Sequence, residues 1–152
     1  MAAGEFTTPL HSRQAEGSGV QNTSGGIGLG AAVDYLDRVG TDRIRHHEQS
    51  LTRRLVTGLR AIGKVRVFAP PDPGQMAGIV SFTVPGLSSP DIAGILDETS
   101  DIIVGSGDHS CAPLMKVIGA DTGTVRASLH LYSTEEDVDL LVATVAEIAS
   151  GV

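Results

Sequence analysis

GSGDHSCAPLMKVIGADTGTVRASLHLYS, residues 105–133, is the stretch around which the rest of the chain is organised. Its second half alternates strictly. Val125, Ala127, Leu129 and Leu131 fall on one side, and Arg126, Ser128 and His130 on the other. That is the period of a half-buried strand. Ser133-Thr134-Glu135-Glu136 follows and reads as a capping box. It opens a helix that places Val138, Leu141, Val145 and Ile148 on one face. The first half holds the single cysteine, Cys111, between Gly105 and Gly107 on one side and Pro113 on the other, with a helix expected after it.

Upstream, residues 1 to 24 are small, polar and Gly-rich without a period, and read as a flexible N-terminal arm. From Gly25 the pattern becomes helical: Ile27, Ala31, Ala32, Tyr35, Leu36 and Val39 lie near one face, and Gly40 is a stop. Thr41 to Ile62 is a long amphipathic helix, with Ile44, Leu51, Leu55, Leu59 and Ile62 as its stripe. Lys64 to Ala69 alternates as a strand, the Pro-rich loop 70–77 follows, and Gly78 to Val84 is a stronger strand. Ser89-Pro90-Asp91 starts another helix, with Ser89 as its N-cap, and Ile102 to Val104 is a short strand. This order predicts an α+β fold: a small mixed or antiparallel sheet with helices packed mainly on one face.

The chain has 152 residues, 41% of them hydrophobic and 19% charged, which suits one packed domain spanning residues 25–152. A net charge of -7 argues against non-specific nucleic-acid binding, which needs clustered cations. One cysteine makes no internal disulfide. No apolar run is long enough for a membrane span, and no signal-peptide pattern opens the chain, so the expected location is the cytoplasm.

Cys111 has two readings: an exposed loop thiol activated by nearby His109, or an inert, buried small residue. Arg126 likewise could hold a carboxylate bidentately, or simply face solvent or an acidic partner. A metal site would need more ligands than His109 and Cys111, so none is expected. His46 and His47 are adjacent in a helix and read as solvated surface. Gly25 to Gly30 superficially suggests a phosphate loop but lacks the preceding strand and the Lys, and reads better as small residues in a helix.

Taken together, QNTSGGIGLGAAVDYL, GIVSFTV, HSCAPLMK and TVRASLHLYSTEEDVDLL resemble the C-terminal small domain of class V aminotransferase-fold enzymes. The resemblance is closest to SUF-type cysteine desulfurases and selenocysteine lyases. It implies the C-terminal domain of a fold-type I pyridoxal phosphate (PLP) enzyme, taking sulfur from cysteine through a cysteine persulfide. It makes Cys111 the sulfur acceptor, with His109 beside it, and Arg126 the ligand of the substrate carboxylate. The family's large PLP-binding domain and its Schiff-base lysine are absent from this stretch, so PLP is not expected to bind to the chain alone. The chain alone is expected to be inactive. The resemblance also implies as partners a second copy, a separately encoded PLP-binding domain, or a sulfur acceptor protein. A non-catalytic interaction module, a degenerate paralogue, or another class V C–S lyase or aminotransferase are the alternative readings. Three places depart from the family pattern: Gly105 stands where the family usually has Arg, Ser110 intervenes between His109 and Cys111, and the segment RQAEGSGVQ is scrambled.

Overall fold

The structure is a computed structural model and describes residues 22–152. The chain divides into two compact units, Met1–Gly40 and Thr41–Val152. Most of the expected arm, and the scrambled segment before Asn22, lie outside the described residues.

In the first unit Thr23–Val39 form helix α1. The Asn22 side chain caps it, accepting from the Gly25 amide at 2.9 Å, so the helix begins within the last residues assigned to the arm. Gly25 to Gly30 are helical rather than looped. Gly40 ends the helix at φ 90°, a conformation that favours glycine. No residue of α1 is buried, and Ile27, Leu29, Val33, Tyr35 and Leu36 are exposed.

The second unit is an antiparallel sheet with its helices packed mainly on one face. In chain order come α2 (Thr41–Ala61), β1 (Arg66–Phe68), β2 (Ile79–Thr83), α3 (Ser89–Ser100), β3 (Gly105–Gly107), α4 (Ala112–Val117), β4 (Thr124–Ser128) and α5 (Glu135–Ser150). The strand order is β1-β2-β4-β3, and every pairing is antiparallel. Helices α2, α3 and α5 pack on one face. Leu51, Leu55 and Leu59 of α2, Ile92 and Leu96 of α3, and Val138, Leu141 and Val145 of α5 meet Val80, Phe82, Val125 and Ala127 there. Each fully buried aliphatic or aromatic side chain contributes about 1.5–3 kcal/mol relative to exposure.

The short third strand lies three residues beyond its expected place at Ile102–Val104. Ile102 and Val104 instead pack against the core. The ladder forms at Gly105–Gly107, where the backbones can approach: a Cβ on Gly123 would stand 2.5 Å from the Gly107 carbonyl carbon. The caps also shift by one residue. Ser88, not Ser89, caps α3. Thr134 caps α5, in a reciprocal box closed by Asp137. Ser89 is freed for another task. Its buried hydroxyl accepts from the Gly107 amide at 3.1 Å and lies 3.3 Å from the Thr122 carbonyl. It thereby pins the end of β3 to the turn before β4. Among the described residues, no helix is long and apolar enough to cross a membrane.

Candidate functional site

The second face of the sheet carries the residues singled out by the sequence. Alternation along β2 and β4 turns Ser81, Arg126 and Ser128 away from the core. The ladder registers Phe68, Ser81, Arg126 and Gly105 into one row across the four strands. Arg126 is thus flanked by small residues on both sides. A Cβ on Gly105 would stand 3.5 Å from both Nε and Nη2 of the guanidinium. The Arg126 Nε is buried and has no hydrogen-bond partner. An orphaned buried donor costs roughly 1–3 kcal/mol, and a carboxylate is the acceptor that guanidinium geometry suits. Arg126 as a whole is half-buried, and no ion pair joins it to an acid among the described residues.

His109 and Cys111 stand on the segment that crosses this face. Asp108 begins it, accepting the Ser110 amide on its carboxylate at 3.0 Å and the Cys111 amide on its carbonyl at 2.8 Å. His109 and Ser110 both take left-handed backbone conformations, at φ 52° and φ 58°. Such residues cost about 1–2 kcal/mol each, so side chains must hold them. His109 does this through Nε2, 3.1 Å from the Thr124 carbonyl and 2.9 Å from Thr124 Oγ1. A carbonyl only accepts, so this contact calls for the proton on Nε2. Thr124 is fully buried and lies two residues from Arg126 on the same face of β4, roughly 7 Å along the strand.

Cys111 is exposed and unpaired, at the residue preceding α4. The thiol is therefore not the buried one that residue type alone favours. No hydrogen bond or ion pair joins His109, Cys111 and Arg126 to one another among the described residues, and the His109 ring turns to Thr124. What the fold brings together is one face with a guanidinium whose Nε lacks a partner, an imidazole held on Thr124, and an exposed thiol on the same segment.

Other expectations resolve differently. His47 is not free surface: its Nε2 lies 2.9 Å from the Ser133 carbonyl in a part-buried contact. His46 Nδ1 meets the Asp42 carbonyl at 2.7 Å on the exposed side. Among the described residues, no group of three or more His, Cys, Asp or Glu is placed to hold a metal ion. Two contributors went unread in the sequence. Thr124 is one, and only its place beside the alternating run hinted at it. The other is Arg66, whose partners lie more than 50 positions away, beyond any local pattern.

The described residues fit a carboxylate but do not fit PLP itself. Lys64 donates to the Val152 carbonyl, and Lys116 lies on the exposed surface of α4. Of the aromatic side chains in this unit, Phe82 is in the core, Phe68 lies under Arg66, and Tyr132 stacks on His130. Among the described residues, neither lysine is paired with an aromatic ring.

The aminotransferase class-V family model matches residues 9–141. The chain belongs to this family. Among class-V relatives, a probable cysteine desulfurase of Methanothermobacter thermautotrophicus is 41% identical over 134 residues, covering 87% of this chain and 33% of the relative. The apo structure of a cysteine desulfurase from Thermococcus onnurineus superposes with a TM-score of 0.84 at 40% identity, over 90% of this chain and 33% of that one. The cysteine desulfurase CsdA of Escherichia coli, in an S-sulfonic acid form, gives a TM-score of 0.77 at 30% identity, over 88% and 32%. The chain is thus cysteine desulfurase-like and spans about a third of the length of these class-V proteins.

Proposed function

We propose that this chain is the C-terminal domain of a PLP-dependent cysteine desulfurase, in which it supplies the carboxylate clamp and the sulfur acceptor. The observation that carries the reading is the buried, partnerless Nε of Arg126, set between Ser81 and Gly105 on the open face. Arg126 holds the substrate carboxylate and orients the amino acid. Cys111 takes its sulfur, so that cysteine and the enzyme thiol give alanine and an enzyme persulfide. PLP, held by residues outside this chain, is the electron sink for that chemistry. His109 holds the thiol-bearing segment on β4. The chain alone is inert on this reading. In the cell it works in the cytoplasm, with a second copy or a PLP-binding partner, and hands its sulfur to an acceptor protein.

A chimera tests this. The C-terminal third of the Methanothermobacter relative is replaced by this chain, and alanine release from cysteine is measured. Turnover is expected, lost in Arg126→Ala and in Cys111→Ser. A folded, PLP-loaded chimera that makes alanine equally well with Arg126→Ala would overturn the proposal.

A second reading, an interaction module without catalysis, is favoured by one observation: α1 leaves Ile27 at 76% and Leu29 at 67% exposure. Such apolar surface marks an association site. Sedimentation of the pure chain over a concentration series tests it. A monomer throughout, with no dye-detectable apolar patch, would eliminate it.

A further inference from the structure

Helix α4 has six residues, far too few to be stable unaided. Little apolar surface holds it down: of residues 111–120 only Met115 and Ala120 are buried. Val117 is 83% exposed. Its first turn nonetheless bonds to the carbonyl of Cys111, which accepts from the amides of Leu114 and Met115 at 2.9 and 3.2 Å. Whatever anchors α4 therefore also fixes the backbone of Cys111.

Two polar clamps do the anchoring. At the N-terminal end, His109 is held on Thr124 of β4. At the C-terminal end, Arg66 reaches from β1. Its Nη2 donates to the Ile118 carbonyl at 2.6 Å, and its Nη1 to the Gly119 carbonyl at 3.1 Å. Those are carbonyls at the end of a helix, which lack intrahelical partners and favour a cation. The guanidinium is itself positioned by a ring: its central carbon lies 4.6 Å from the centroid of Phe68. β1 and β3 are the opposite edges of the sheet. The segment 108–119 thus runs from β4, beside the β3 edge, to the arginine of the far edge.

We infer that Arg66 is a positioning residue for Cys111, acting through α4 from the opposite edge of the sheet. Its functional meaning rests on the proposed role of Cys111 as sulfur acceptor. The geometry of the clamp does not. A thiol that must meet a substrate held on Arg126 needs a fixed approach, and a strap secured at both ends provides it. Arg66 suits the task because one planar fork serves two adjacent carbonyls.

Cys111 is the only cysteine of the chain, so a nitroxide attached to it reports that position alone. The experiment compares label motion, and amide exchange at Met115, Ile118 and Ala120, in the full chain and three variants. In Arg66→Gln the label is expected to tumble severalfold faster and these amides to exchange on the order of tenfold faster, the scale of losing charged hydrogen bonds. Val145 and Ile148 in the core are expected to keep their protection. Arg66→Lys, which keeps the cation but loses the fork and its second hydrogen bond, restores only part of the order. Phe68→Leu, which keeps Arg66 but removes the ring beneath it, falls between. Unchanged label motion in both Arg66→Gln and Phe68→Leu would overturn the inference. So would equal acceleration of exchange in α4 and in the core, which would make Arg66 a general stabiliser. Neither readout needs turnover, so a chimera that makes no alanine would count against the proposed function and leave this result standing.

Discussion

Gly105 lies directly opposite Arg126 across the β3–β4 ladder, and it brings no side chain against the guanidinium. A Cβ there would sit at an ordinary contact distance of 3.5 Å from Nε and Nη2. Gly105→Ala is therefore expected to fold with a stability change of at most about 1 kcal/mol. A longer residue such as Leu would lie over Arg126. The Arg126 Nε–H resonance should shift as acetate or alanine is titrated into the wild-type chain. That response should survive in Gly105→Ala and weaken in Gly105→Leu. A resonance indifferent to carboxylates would remove the clamp.

The two left-handed residues before Cys111 invite a paired test. Ser110 stands at φ 58°, so Ser110→Gly should stabilise the chain by about 0.5–1 kcal/mol, measured by urea unfolding. His109→Ala should act in the opposite sense. It leaves the buried Thr124 hydroxyl without its partner, at a cost of about 1–3 kcal/mol. A nitrogen-15 spectrum of the neutral ring should find the proton on Nε2. A proton on Nδ1 would contradict the clamp.

Arg54 joins α2 to α5, its Nε and Nη2 each 2.6 Å from a carboxylate oxygen of Asp139 and its Nη1 2.9 Å from Glu135. This hydrogen-bonded guanidinium holds the Asp139 carboxyl below its ordinary value of 3.8. A carboxyl depressed in the folded state stabilises the fold above its unfolded value, and that stability is lost as pH falls through the lower folded value. The stability difference between wild type and Asp139→Asn should thus be present at neutral pH and vanish in acid. The pair is exposed, so the difference should be small and shrink with added salt. Thermal melts from pH 2 to 7 at two salt concentrations check both the sign and the screening.

Phe82 is fully buried in the sheet against α2, α3 and α5. Phe82→Ala should cost about 3–5 kcal/mol. Thr134→Ala, which opens the capping box of α5, should cost about 1 kcal/mol. Equilibrium unfolding measures both, and a capping loss as large as the core loss would abolish that ranking.

Much of the fold was legible because its signals are local. The alternation around Arg126 turns one set of side chains to the core, whatever strand lies alongside. The stripe Leu51, Leu55, Leu59 could be satisfied only by a helix with one buried side. Caps were readable to within one residue, since neighbouring hydroxyls compete for the same amides and the surrounding packing selects between them, as with Ser88 over Ser89. The family was legible for the same reason, carried by contiguous runs. The site was legible only as a set of residue types.

What the sequence determined by itself was periodicity, and with it the helices, the strands and the side of the sheet that Arg126 would take. What only tertiary structure decided was pairing at a distance. The ladder formed at two glycines rather than at the apolar Ile102–Val104, because those side chains had core to fill and the glycines allowed close backbones. The Arg126 Nε was buried and gained no acceptor because of what lay on the strands beside it. Arg66 became an anchor for the cysteine segment because folding brought Ile118 and Gly119 to it. Hydrogen bonds between groups far apart in the chain leave no period to read, and that is where the chemistry of this face resides.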